Sequence, residues 1–181
     1  VYAVYRCGFF PTSALADDNA LENRIDRIFR IIELCRYGIH DISRTELNTT
    51  QLPRFNMPFE LGVFFGARRY GVKSQKNKGA IVFERLRFSY QQYLSDISGI
   101  DTKAHNNDPH TLVRQIRNWL ATTSRRKTVP SAPRLISDYD DFIIKLPTVA
   151  ASLGYTNINE IPFNDYCQIV EEAIQSLLSA P

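Results

Sequence analysis

The chain has 181 residues, 44% of them hydrophobic and 23% charged, with a formal net charge of +3. That is enough for one domain with a real core and a small appendage, and the composition is ordinary for a soluble protein. A pI of about 8.8 falls short of the concentrated basic face of a dedicated nucleic-acid binder, so nucleic acid is not indicated as a partner. Cys7, Cys35 and Cys167 are odd in number and widely spaced, with no paired Cys or His spacing. They suggest neither a disulfide framework nor a metal site, and fit a reducing cytoplasm.

No apolar run approaches the ~20 residues of a membrane span, and no signal peptide is visible, so no membrane contact is expected. The sequence starts at Val1, and "VYAVYRCGFF" reads as the tail of a helix running into a strand. On that basis residues upstream, including a first strand, are expected to be missing.

In chain order, "GFFPTSAL" reads as a short strand and "ADDN" as a turn, with Asp18 or Asn19 capping the next helix. Leu21, Ile25, Ile28, Ile32 and Cys35 form that helix's apolar face, and Gly38 stops it. "GIHDIS" follows as a short strand, then the polar loop "RTELNTTQLPRFN". The next helix is "MPFELGVFFGARRY", with Asn56 as cap, Pro58 in the opening turn and Glu60 at the amino end, in the first turn. Gly62 and Gly66, four apart within it, each cost roughly 1 kcal/mol against alanine, so a strand or a ligand is expected to pack close there. "VKSQKNKG" is a basic turn read as solvated surface, and "GAIVFE" a buried strand.

"FSYQQYLSDISG" carries Tyr90, Tyr93, Leu94 and Ile97 at helical spacing. "NNDPHTLVRQIRNWL" begins a helix with Asp108 as cap and Pro109 at the first position. The Ser-, Pro- and charge-rich segment 122–135 reads as a linker. Two further helices, 137–153 and 163–179, follow it. The alternation means α/β: a mainly parallel sheet flanked by helices over residues 1–121, with a helical extension over 136–181.

In such sheets ligands sit at the carboxyl ends of the strands, where helix amino termini converge. Asp41 and Glu60 are the pair singled out there. A carboxylate among apolar groups and lone amides can attack a sugar carbon or stabilise an oxocarbenium ion, while a second binds a hydroxyl or base edge. The competing possibility is that Asp41 caps a strand-end turn and Glu60 caps a helix. His40, beside Asp41, is a candidate general base or a structural histidine. His105 and His110 have no partner spacing, and Ser43 and Ser98 lack the tight glycine turn of a hydrolase nucleophile.

The succession "GIHDIS", a polar loop, "MPFELGVFFGARRYG" and the strand "AIVF" resembles the centre of the nucleoside 2-deoxyribosyltransferase-like proteins and, more widely, the TIR domains. It covers about a third of the chain. The resemblance implies a flavodoxin-like fold and a catalytic Glu at Glu60. It also implies substrate binding by Asp41, with His40, Ser43 and Asn56 around it. Where those relatives carry Gly-Thr or Gly-Ser before the Glu helix, this chain has Asn56, Met57 and Pro58. The expected function is cleavage or exchange of an N-glycosidic bond in a nucleoside, nucleotide or NAD-like molecule, with NAD a substrate rather than a cofactor. A role in prokaryotic defence by nucleotide depletion follows by analogy. The alternative is a non-catalytic nucleotide-sensing or assembly module using the same cleft. The apolar stripes of the last two helices, Phe142 to Leu153 and Tyr166 to Leu177, lead to the expectation of a homo-oligomer.

Overall fold

The structure, a computed structural model, describes residues 1–17, 19–45 and 54–179. Its elements are α1 (Tyr2–Arg6), α2 (Arg24–Leu34), β1 (Tyr37–Asp41), α3 (Asn56–Tyr70), β2 (Gly79–Glu84), β3 (Lys103–Ala104), α4 (Pro109–Ser124), α5 (Ala132–Ser152) and α6 (Phe163–Ser179). The class is α/β, a small parallel sheet flanked by helices. The chain divides into two compact units, Ala20–Leu112 and a second made of Val1–Asn19 with Val113–Pro181.

The first unit holds the sheet, in the order β1-β2-β3. Both pairings are parallel, with Tyr37 opposite Gly79 through Asp41 opposite Phe83, then Phe83 opposite Lys103 and Glu84 opposite Ala104. All three strands therefore end at the same edge. Ile81, Val82, Phe83 and Glu84 are buried in succession, the unbroken pattern of a strand covered on both faces. Helix α3 packs Leu61 and Phe64 inward, and Ile42, Leu61, Val82 and Tyr90 form a core with Met57, Phe65, Leu94 and Ile97 around it.

Close approach is needed at Gly38, where a Cβ would stand 2.6 Å from His40 Nε2 and 2.9 Å from the Phe64 ring. No strand packs close at Gly62 or Gly66 among the described residues: a Cβ at either meets nothing there within 4 Å. Nothing in the described residues explains those two glycines.

Helix α2 begins at Arg24, later than its apolar pattern suggests, with Asn23 in the cap position and the Asn23 side-chain amide donating to the Asp26 carboxylate at 3.3 Å. Leu21 is left outside the helix and exposed. The alternative cap Asp18 and the greater part of the polar loop before α3 lie outside the described residues. Lys78, expected on a solvated turn, is buried. Its ammonium donates to the carbonyls of Ile32 and Cys35, closing the carboxyl end of α2 where a cation suits the helix dipole. The same ammonium sits 5.0 Å from the centre of the Phe64 ring.

Instead of one helix, "FSYQQYLSDISG" makes two short 3-10 turns, Ser89–Gln92 and Ser95–Ile97. The cause is Glu84, 1% exposed. Its carboxylate accepts from the Ser89 hydroxyl, the Tyr90 amide and the Thr102 hydroxyl, while the Tyr90 hydroxyl donates to the Ser98 carbonyl at 3.2 Å. These bonds fold the segment back on itself in competition with the helix.

In the second unit, α1 lays Tyr2 on Phe142 with ring centres 4.9 Å apart. Tyr2, Phe142, Leu146, Ile169, Val170 and Ile174 form one core, and Ala3, Cys7, Val113, Leu120, Val129 and Leu135 another. The stretch read as the strand "GFFPTSAL" is irregular. Gly8 there adopts φ +79°, Phe9 lies under the Arg126 guanidinium at 4.6 Å, and Pro11 has no N–H for a ladder. Arg126, after α4, is not bare but donates to the Gly8 carbonyl, and Arg117, within α4, donates to the carbonyls of Pro130 and Val129. Buried Asp138 is clasped by Arg6 at 2.8 Å and Arg134 at 2.7 Å.

Candidate functional site

At the carboxyl end of β1, where α2 and α3 begin, a cleft of about 480 Å³ is lined by Arg24, Asp41, Ile42, Arg44, Arg54, Asn56, Met57, Pro58 and Glu60. Parallel topology explains the meeting, since each strand delivers its last residue to the edge from which the next helix departs. Asp41 is the last residue of β1. Side-chain alternation sends Gly38 and His40 toward α3 and leaves Asp41 in register with Phe83 on the other side. Asp41 thus joins Glu60 at the rim of the sheet rather than on the face that α3 covers.

Glu60 is the fifth residue of α3, with Phe55 in the cap position. It therefore lies in the second turn, not the first, and no acid occupies the first. Half-buried, it is held above the usual carboxylate range by burial, with Arg24 pulling the other way. Asn56 makes no capping bond and is itself helical. Because Pro58 has no N–H and the Phe59 amide reaches the Phe55 carbonyl, the Asn56 and Met57 amides are the first-turn donors without a side-chain cap among the described residues.

Asp41 Oδ1 accepts the Ser43 amide at 3.0 Å, so the turn-capping role weighed above is met by one oxygen. The Ser43 side chain is not among the groups lining the cleft. His40 is not brought to the cleft either. It is 5% exposed and stands edge-on to Phe64 at 5.2 Å, with neither ring nitrogen hydrogen-bonded among the described residues. Burial pushes its pKa down to about 4, so it is neutral at physiological pH and does not titrate there.

The histidine that approaches Asp41 is His105, directly after β3, although it too is not among the groups lining the cleft. Its Nδ1 accepts the Asn107 amide at 3.0 Å, which leaves the proton on Nε2, 3.6 Å from Asp41 Oδ1. Sequence spacing gave no hint of this partner. The signal was topological: His105 follows a strand parallel to the one that ends at Asp41. Arg24, Arg44 and Arg54 were likewise missed, although Arg24 opens the helix preceding β1. Among the described residues no group of three or more His, Cys, Asp or Glu could hold a metal ion, and no helix is long and apolar enough to cross a membrane.

A second hollow of about 440 Å³, between α5 and α6, is lined by Tyr2, Phe142, Leu146 and Ile169 among others. Its buried acid, Asp138, is committed to Arg6 and Arg134, whereas among the described residues no arginine ion pair holds Asp41 or Glu60 in the sheet-edge cleft. Compared with protein-family models, curated proteins and solved structures, the chain matches none.

Proposed function

We propose that the chain breaks or exchanges the N-glycosidic bond of a nucleoside, nucleotide or NAD-like molecule, on a flavodoxin-like sheet body to which α5 and α6 are an extension. The supporting observation is that Asp41 and Glu60, from different elements, line one cleft at the carboxyl edge of the parallel sheet. Ionised Glu60 supplies an electron pair to C1′, or stabilises the oxocarbenium ion there, as the C1′–N bond breaks and the base departs with the bonding pair. The base takes up a proton as it leaves. Water then attacks C1′, releasing the Glu60 carboxylate where it has bonded there, and loses a proton, which gives hydrolysis; a second base attacking in the same way and losing its N–H proton gives exchange. Asp41, with one oxygen engaged by Ser43 and His105 beside it, presents the other to a sugar hydroxyl or base edge.

Burial of Glu60 makes its charge costly in the free protein, a cost recovered as positive charge develops on the sugar. In this proposal the enzyme is cytoplasmic and homo-oligomeric, and depletion of a nucleotide pool in prokaryotic defence is a use consistent with the chemistry. The test is incubation with NAD and a panel of nucleosides and nucleotides, with chromatographic detection of free base. Base release supports the proposal. Binding in the cleft without release from any member supports the non-catalytic alternative.

A further inference from the structure

Resting on the glycosidic function proposed above, we infer that the cleft selects a phosphorylated nucleotide over the bare nucleoside, through the guanidiniums of Arg24, Arg44 and Arg54 and the open amides at the mouth of α3. Four other arginines of this chain are matched by acids: Arg27 and Arg30 share Glu22, and Arg6 and Arg134 share Asp138. Among the described residues no ion pair holds Arg24, Arg44 or Arg54, and all three line the same cleft. They outnumber the two carboxylates among the described lining residues, and Asp41 already spends one oxygen on the Ser43 amide. An excess of guanidinium in a concave site calls for an oxyanion, and the planar fork of arginine fits phosphate oxygens in pairs.

Helix α3 supplies a second donor set independent of the arginines. It is 15 residues long and starts in the cleft, and among the described residues no side chain caps its first-turn amides. Its positive end and the Asn56 and Met57 N–H groups, without a side-chain partner among those residues, suit an anion. Glu60 follows within the same helix, so an anion held at its mouth puts the sugar of the same molecule within the cleft that Glu60 lines. The volume of about 480 Å³ lies within the ordinary range of small-molecule sites.

The experiment is calorimetric titration of the intact chain with adenosine, adenosine 5′-monophosphate, NAD and inorganic phosphate, at low and at physiological salt. Either phosphorylated nucleoside compound should bind about tenfold or more tightly than adenosine, as a charge-assisted contact predicts, and the ratio should shrink with salt. The two arms separate a terminal phosphoryl group from a bridging pyrophosphate. Arg44→Gln combined with Arg54→Gln, checked for an unchanged melting profile, should cut the ratio about threefold or more, Arg24 and the α3 amides keeping the remainder. Equal affinities in the wild type, binding of inorganic phosphate alone, or a ratio unchanged in the double variant overturns the inference.

Base release measured on the same samples separates the two claims. Arginine-dependent preference without base release keeps the phosphate site and removes the glycosidic function. Base release at equal kcat/KM from nucleoside and nucleotide keeps that function and removes the phosphate site.

Discussion

His40 makes the folded sheet unit sensitive to acid in a way that can be calculated. In the unfolded chain its pKa is the ordinary 6.5, and in the folded protein burial lowers it to about 4. Below pH 6.5 the unfolded state takes up a proton that the folded state refuses. The stabilising contribution is therefore complete above that value and is lost as pH falls toward 4. At about 1.4 kcal/mol per pH unit the ceiling is about 3 kcal/mol, and between pH 7.5 and pH 5 the loss from this group alone is about 2 kcal/mol. Carboxylates also titrate at the lower end, so the readout is a double difference: urea unfolding of wild type and of His40→Leu at both pH values. Leucine keeps an apolar body against Phe64 and removes two ring nitrogens that have no hydrogen-bond partner. The variant should thus match or exceed wild-type stability at pH 7.5, and should lose about 2 kcal/mol less on acidification. Equal losses in both proteins would refute the buried, neutral histidine.

Lys78→Met should destabilise the protein by about 1–3 kcal/mol through the lost bonds to the α2 carbonyls, whereas Lys73→Met, on the exposed side of the same turn, should fall within about 0.5 kcal/mol of wild type; equal effects in urea unfolding would return Lys78 to the surface. Asp138→Asn should cost about 3–5 kcal/mol, because it strands the buried Arg6 charge, and thermal unfolding unchanged from wild type would contradict the clasp. Glu60→Gln should melt at or above the wild-type temperature at pH 7.5. Burial raises the pKa of Glu60 in the folded state, so its ionised form opposes folding, and the gap should close as pH falls into the carboxylate range. A variant much less stable than wild type at pH 7.5 would instead make Glu60 a structural residue.

The parts of the fold that could be read from the sequence are those governed by local patterns. Asp108 before Pro109 starts α4 as expected, with its carboxylate accepting the Thr111 amide at 3.0 Å, and the apolar run from Ala80 forms the central strand of the sheet. What could not be read depended on distant partners. Whether "SYQQYLSDIS" becomes a helix is decided by a buried carboxylate at the end of β2, and whether Lys78 is solvated is decided by the end of a helix more than 40 residues earlier. At the site, adjacency in sequence misled for His40, because alternation along a strand turns neighbours to opposite sides. It was silent on His105 and the three arginines, which topology alone collects at the edge. Asp41, Asn56 and Glu60 were legible because a strand end followed by a helix start is a local signal of that edge.

The central claim is that Glu60 acts on the glycosidic bond, and the most direct measurement is single-turnover base release by wild type and Glu60→Gln, per folded molecule, on whichever member of the nucleotide panel reacts. The account predicts a fall of about 100-fold or more with substrate affinity and melting temperature retained. Equal rates in the two proteins would contradict it.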